Sequence, residues 1–301
     1  MTKSRLFLRN LARCALLLSL TVVSSQILGC YYYTEPTYLK ENIADSIRDI
    51  CKNEYKIDVT TKLTGSTVWI YMPLEDVFSK PEKGKKPEKF LERFAIEQNK
   101  NEFVGGSLKQ DYLIKEVIPE QEKTQEFVFS KKAYEKVIYV RQVIFRVIFS
   151  MDPKEIQNLK FFCLVIADIK NGFVIRDIFY YLDIKKIGYN FISTTEFQHR
   201  TVEDSQMAPE IIGDKTGANI YYKDITMQEF ISGQILNRIR FKFAKPEAPK
   251  GADIDKEIEK VIAYTVKTYD FKDFHEVELN NLVTNRKVIL NRAAIWSRST
   301  E

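Results

Sequence analysis

The segment Leu159–Ile184, LKFFCLVIADIKNGFVIRDIFYYLDI, constrains the fold more than any other. Two long apolar-aromatic runs flank Lys170-Asn171-Gly172. Asn-Gly supplies the positive φ that a tight turn requires, so the segment reads as a β-hairpin. A second hairpin is expected earlier. Ile57, Val59 and Thr61 alternate with polar residues, Thr64-Gly65 turns the chain, and Val68 to Met72 returns. It follows KENIADSIRDICKNE, a helix with Ile43, Ile47, Ile50 and Cys51 on one face. A third unit closes the chain. DIDKEIEKVIAYTVKTY is an amphipathic helix on Ile254, Ile258, Val261, Ile262 and Thr265, and the strands EVELNNLV and KVILNRAAIW follow it.

Helix-then-hairpin thus recurs near 41–72, 131–182 and 253–295 without residue-level identity between the copies. A divergent αββ repeat and chance recurrence both account for that pattern. The fold class implied is α+β, with mixed or antiparallel sheets built from helix-plus-hairpin units. Between these units the signals are more mixed. KFLERFAIEQN (89–99) reads as a short amphipathic helix, DYLIKEVIP (111–119) as a strand and EQEKTQ (120–125) as a polar loop. In SKKAYEKVIYVRQVIFRVIFSM, Val137, Ile144, Val147, Ile148 and Met151 recur at helical spacing. The density of β-branched residues leaves helix-then-strand open. Residues 185–224 read as irregular, with strand around 189–197 and 218–222. Thr226 and Glu229 make a capping box that opens MQEFISGQILN. RIRFKF (238–243) then alternates as a strand. Residues 79–89 form a Lys/Pro-rich solvated loop and 244–252 a linker. The expected division is therefore a main α+β domain over 40–243 and a C-terminal αββ unit over 253–301, separate from that domain or packed on it.

The first 29 residues have a different character. Lys3, Arg5, Arg9 and Arg13 are basic, and no acidic residue precedes Glu35. Ala15 to Val23 is apolar apart from Ser19 and Thr21. A basic start followed by a short apolar run describes an export signal. The run falls short of the ~20 apolar residues that a membrane-spanning helix needs. It ends in Ile27-Leu28-Gly29-Cys30, which resembles the lipobox of bacterial lipoproteins, with Ile27 where Leu is favoured and Leu28 where Ala or Ser is usual. The resemblance implies removal of residues 1–29 by cleavage between Gly29 and Cys30. It also implies a diacylglycerol thioether on Cys30 and acylation of the new amino group. The membrane then becomes a partner through the lipid on Cys30, and 30–39 a tether. Tyr31, Tyr32 and Tyr33 sit at the lipid head groups or pack on the folded body. The absence of Asp at position 31 favours the outer membrane, facing the periplasm, in a Gram-negative host.

Loss of the leader changes the charge argument. The chain carries 46 basic and 41 acidic residues, and four basic ones leave with the leader. The remainder is nearly neutral, which argues against nucleic acid as a partner. Of four cysteines, Cys14 leaves and Cys30 is the anchor. Cys51 and Cys163 could form a disulfide outside the cytoplasm, although their apolar surroundings suit buried free thiols. Neither has a Cys or His at ligand spacing, so no metal and no cofactor is expected.

Catalytic signals are sparse. The two histidines are His199 and His275, and neither G-x-S-x-G nor H-E-x-x-H occurs. Lys215-Thr216-Gly217, within GDKTG, matches a tripeptide of penicillin-recognising serine enzymes, but no Ser has Lys three places on. DFKDFHEVE gathers Asp270, Asp273, His275, Glu276 and Glu278. No catalytic residue is assigned. The leading expectation is a non-catalytic, lipid-anchored envelope protein that binds another protein or an envelope polymer. The alternatives are a small-molecule or lipid-binding module using the Phe/Tyr-rich hairpin at 161–182, and an unrecognised hydrolase.

Overall fold

The computed structural model describes residues 42–79, 89–124, 128–151, 158–244 and 250–298. Gly29, Cys30 and the tether, most of the 79–89 loop and residues 245–249 of the linker lie outside the described residues. In chain order the elements are α1 (Ile43–Tyr55), β1 (Thr60–Thr64), β2 (Thr67–Leu74), β3 (Phe78–Ser79), β4 (Lys89–Val104), β5 (Ser107–Thr124) and β6 (Val128–Phe129). Then follow α2 (Lys131–Ser150), β7 (Phe161–Asp168), β8 (Phe173–Tyr180), α3 (Tyr181–Gly188), α4 (Thr194–Arg200) and β9 (Val202–Met207). The chain ends in α5 (Met227–Ala244), α6 (Ile254–Thr268), β10 (Glu276–Asn281), β11 (Arg286–Asn291) and α7 (Arg292–Ser297). The fold is α+β with mixed sheets, and a helix precedes an antiparallel hairpin in α1-β1-β2, α2-β7-β8 and α6-β10-β11.

These elements form two compact units. The first unit takes the described residues of 42–79, 128–151 and 158–225. Its main sheet has the order β1-β2-β7-β8-β9. β2 and β7 are parallel, from Thr67↔Phe161 to Leu74↔Asp168, and the other neighbours are antiparallel. Parallel neighbours require a long crossover, and α2 lies within it. All eight residues of β7 are buried, as expected of a strand covered on both faces. Successive side chains point to opposite faces. Phe162, Leu164 and Ile166 join Ile47, Ile50, Cys51, Val140 and Ile144 in the core beneath α1 and α2. Trp69 and Tyr71 face the other way and are covered by the strap 208–225. The Tyr71 hydroxyl donates to Asp214 O (2.6 Å), and Trp69 Nε1 donates to Lys223 O (2.8 Å).

The turn after β7 shows how the hairpin is held. Gly172 has φ +65°. Asp168 is fully buried and accepts from Val77 N (3.1 Å), Lys170 N (3.3 Å), Asn171 N (2.9 Å) and Asn171 Nδ2 (3.0 Å). The Asn-Gly signal is thus backed by a carboxylate that satisfies the turn's own donors.

The second unit takes the described residues of 89–124, 226–244 and 250–298. Its sheet order is β11-β10-β5-β4, with β10 parallel to β5. Phe94 on β4 meets Phe243 on α5 edge-on at 5.4 Å. Asn99 and Asn101 reach from β4 to the α5 carbonyls of Leu236 and Ser232, both at 3.1 Å. Asp255 on α6 accepts from the Tyr112 hydroxyl and from Asn281 Nδ2, each at 2.7 Å.

Several expectations are corrected. Residues 89–99 are strand, because β4 pairs with β5 from Lys89↔Thr124 to Val104↔Ser107, and the same pairing draws 120–124 into β5. Residues 238–243 continue α5. Ile235, Ile239 and Phe243, spaced by four, are all buried, whereas Phe241 of the apparent alternation is not. The capping box opens this helix as expected, with Thr226 Oγ1 accepting from Glu229 N and Glu229 Oε2 from Thr226 N. α2 is helical throughout. Residues 185–207 contain α3, α4 and β9, no strand lies at 218–222, and 292–297 is helix. The units do not follow the expected 40–243 and 253–301 division either. Pairing of β10 with β5 places the C-terminal αββ elements with 89–124.

Asp168→Ala is expected to lower the stability of the first unit by about 2–4 kcal/mol, since it strands buried donors. Urea unfolding followed by fluorescence of Trp69, itself 2% exposed, measures this, and an unshifted midpoint refutes it.

Candidate interaction surface

Cys51 and Cys163 are free, buried thiols. They point to opposite faces of the first sheet. Cys51 belongs to the core under the helices, while Cys163 alternates with Phe162 and Leu164, which face that core. The disulfide considered from the sequence is therefore not formed. Burial pushes the Cys51 thiol up to about 12 and raises that of Cys163 as well.

The two histidines belong to different units. His199 lies on α4 in the first unit, a helix that overlaps the strand expected around 189–197. His275 is exposed in the second unit, where its backbone N–H donates to Gly106 O (2.8 Å). Its neighbours are engaged one by one. Asp270 pairs with Lys272 (2.7 Å), Asp273 accepts from Gln228 Nε2 (2.9 Å), Glu276 accepts from Ser107 Oγ (3.0 Å) and Glu278 pairs with Lys287 (2.8 Å). Among the described residues no cluster of three or more His, Cys, Asp or Glu side chains is placed to hold a metal ion.

The GDKTG segment is a structural loop. Asp214 accepts from the backbone N–H groups of Thr216 (3.0 Å), Gly217 (2.8 Å), Ala218 (3.2 Å) and Asn219 (2.9 Å). Desolvation pushes its pKa up, but these four donors together outweigh it and hold the carboxyl below its usual range. Asp224, at the far end of the strap, accepts from Ser66 N (2.8 Å), Ser66 Oγ (2.9 Å) and Thr67 Oγ1 (3.0 Å). The Phe/Tyr-rich hairpin is equally committed to structure, with Phe161, Phe162 and Phe179 at most 2% exposed.

One exposed surface of the first unit brings two aromatic rings together. The loop between α3 and α4 holds Phe191 77% exposed and Tyr189 51% exposed, with the rings 6.3 Å apart. Exposed aromatic rings that lie together offer a candidate interaction surface. The loop is held rigidly. Tyr189 N donates to Lys185 O (3.0 Å), Asn190 N to Ile187 O (3.0 Å) and Phe191 N to Lys186 O (2.8 Å). Asn190 takes the left-handed conformation, φ +59°, which Asn tolerates better than most residues. Ser193 caps α4 through Glu196 N (3.1 Å). Arg200 on α4 ties to the buried Asp183 on α3 (2.9 Å), bracketing the loop.

Beneath it, Tyr189 meets Phe149 of α2 edge-on at 5.6 Å, and Lys185 Nζ lies 4.9 Å above the Phe149 ring while donating to Ile148 O (2.9 Å). Gly188 permits this contact, because a Cβ there would fall 1.8 Å from Phe149 Cζ. Sequence reasoning missed the surface by reading 189–197 as a strand. The available signal was Ile184 and Ile187 at helical spacing followed by Gly188-Tyr189-Asn190, a helix stop.

Comparison of the chain with protein-family models, with curated proteins and with solved structures finds no match to any of them.

Two outcomes are expected. A thiol reagent should modify Cys51 and Cys163 only after denaturation, releasing two equivalents without a reductant. A requirement for reductant would show a bridge. The depressed Asp214 carboxyl contributes stability that is fully present above its unfolded pKa of about 4 and is lost as pH falls through the lower folded value. Asp214→Asn should therefore weaken the first unit at pH 7 and converge with the parent in acid. A constant difference in denaturation midpoint between pH 7 and pH 2 would refute this.

Proposed function

We propose that this protein is lipid-anchored in the bacterial cell envelope and acts by binding, as an interaction or assembly module for an envelope protein or polymer. The observation that carries the reading is Ile27-Leu28-Gly29-Cys30 at the end of a basic, then apolar, leader. Two or more acyl chains on one cysteine hold a protein firmly, since each buried methylene contributes about 0.8 kcal/mol. The anchor needs no spanning helix, and among the described residues no helix is long and apolar enough to cross a membrane. A binding role for the folded body is supported by where its polar groups go. Asp168, Asp214 and Asp255 each satisfy donors of their own unit.

Metabolic labelling with a fatty-acid probe tests the anchor. The protein should carry the label, and Cys30→Ala should abolish it. A Cys30→Ala chain that is still acylated would overturn the assignment.

A further inference from the structure

The exposed loop and the start of the folded chain lie at the same end of the first unit. The last turn of α1 and the first turn of α2 mark the opposite end. Four residues, 56–59, join α1 to β1, whose Thr60 pairs with Tyr71 near the finish of β2. Ser130, the N-cap of α2, donates its backbone N–H to Val77 O (2.8 Å), just past the finish of β2. The two helices pack side by side, with the Tyr55 and Tyr139 rings 4.9 Å apart and Arg146 Nη1 2.5 Å from Glu54. They are therefore antiparallel. Asn42, the N-cap of α1, and Phe149, in the last turn of α2, fall together at the end where β2 begins. Tyr189 stands on Phe149. Chain entry and aromatic loop share that end.

Only eleven residues, 31–41, separate Cys30 from Asn42, a reach of at most about 40 Å when fully extended. A lipid on Cys30 holds this end of the unit near the bilayer. Tyr and Phe are favoured at the head-group level, where an apolar ring body is buried beside polar groups. Beside them Lys186, with its side chain 39% exposed, lies 3.8 Å from Asp183, which Arg200 engages more closely at 2.9 Å. A cation so placed suits anionic head groups.

We infer that Tyr189 and Phe191 form a second membrane contact, seating the first unit on the bilayer that carries the lipid on Cys30. The inference rests on the anchor proposed above. It makes the loop an orienting contact: the lipid sets the distance to the membrane, and the rings set which face of the unit looks away from it.

Site-specific quenching tests this. The full chain is reconstituted into phosphatidylethanolamine–phosphatidylglycerol vesicles with and without bromine on the acyl chains. Phe191→Trp adds emission that should shift to the blue and lose about half its intensity to bromine, as expected for a ring at the interface. The parent chain, with Trp69 and Trp296, is the blank. Ile212→Trp is the control. Ile212 is 58% exposed and packs on Gly172, beyond the finish of β7 at the opposite end of the sheet. Its added emission should not respond. Both positions are exposed, so neither substitution threatens folding. Equal responses at 191 and 212 overturn the inference. So does a benzophenone amino acid at 191 that crosslinks in cells to a protein rather than to lipid. Fatty-acid label on Cys30 without quenching at 191 removes this contact and leaves the anchor. Quenching at 191 without label on Cys30 does the reverse.

Discussion

The first unit depends on the parallel pairing of β2 with β7. The pair runs from Thr67↔Phe161 to Leu74↔Asp168 and joins two helix-plus-hairpin halves edge to edge. Parallel neighbours cannot be linked by a tight turn, so the chain must leave the sheet after β2 and return through α2. That return fixes α2 antiparallel to α1 and stacks both helices on one face. The other face of the central strands would then expose Trp69 and Tyr71. Residues 208–225 cover it, as a strap without strand or α-helix. Its backbone carbonyls are exploited directly, by the Tyr71 hydroxyl and the Trp69 indole.

An irregular cover over a sheet raises a polar problem. Backbone N–H groups outside regular structure need partners, and a buried one without a partner is costly. The protein solves it with carboxylates. Asp214 gathers four N–H groups at one end of the strap, Asp224 binds Ser66 and Thr67 at the other, and Asp168 closes the hairpin turn. Asp177, 1% exposed, is held by Arg141 of α2 at 2.5 Å, a pairing that suits a charge so deeply buried. These aspartates are structural, each occupied by donors a few residues away or on a neighbouring element. The same logic bears on Asp255, which Tyr112 and Asn281 hold inside the second unit.

Sequence patterns were legible where local signals agree. The Asn171-Gly172 hairpin, the α1 face of Ile43, Ile47 and Ile50, the Thr226–Glu229 capping box and α6 all combine a period with a start or stop signal. Failures came where periods compete. Lys89–Asn99 carries apolar residues that suit a helix face, but nine aligned positions of β5 opposite make it a strand. Ile239, Phe241 and Phe243 imitate alternation, but Ile235, Ile239 and Phe243 share the buried side of α5. The aromatic loop was hidden for a different reason. Side-chain type alone does not distinguish an exposed Phe191 from a buried Phe179. Exposure follows from the helix stop at Gly188-Tyr189-Asn190 and from Phe149 beneath it.

What the sequence determined alone is what depends on neighbours along the chain: the turn at Asn171-Gly172, the helical face of α1 and the capped start of α5. Each needs only a few nearby residues, because turn geometry, capping and helical periodicity are short-range. Tertiary structure alone decided which strands neighbour one another, where the chain divides and which face each residue takes. It put Cys51 and Cys163 on opposite sides of one sheet, joined 276–281 to 107–112, and set Tyr189 on Phe149 at the end where the folded chain begins. Those outcomes turn on parallel pairing and helix packing between segments far apart in sequence, which no local period encodes.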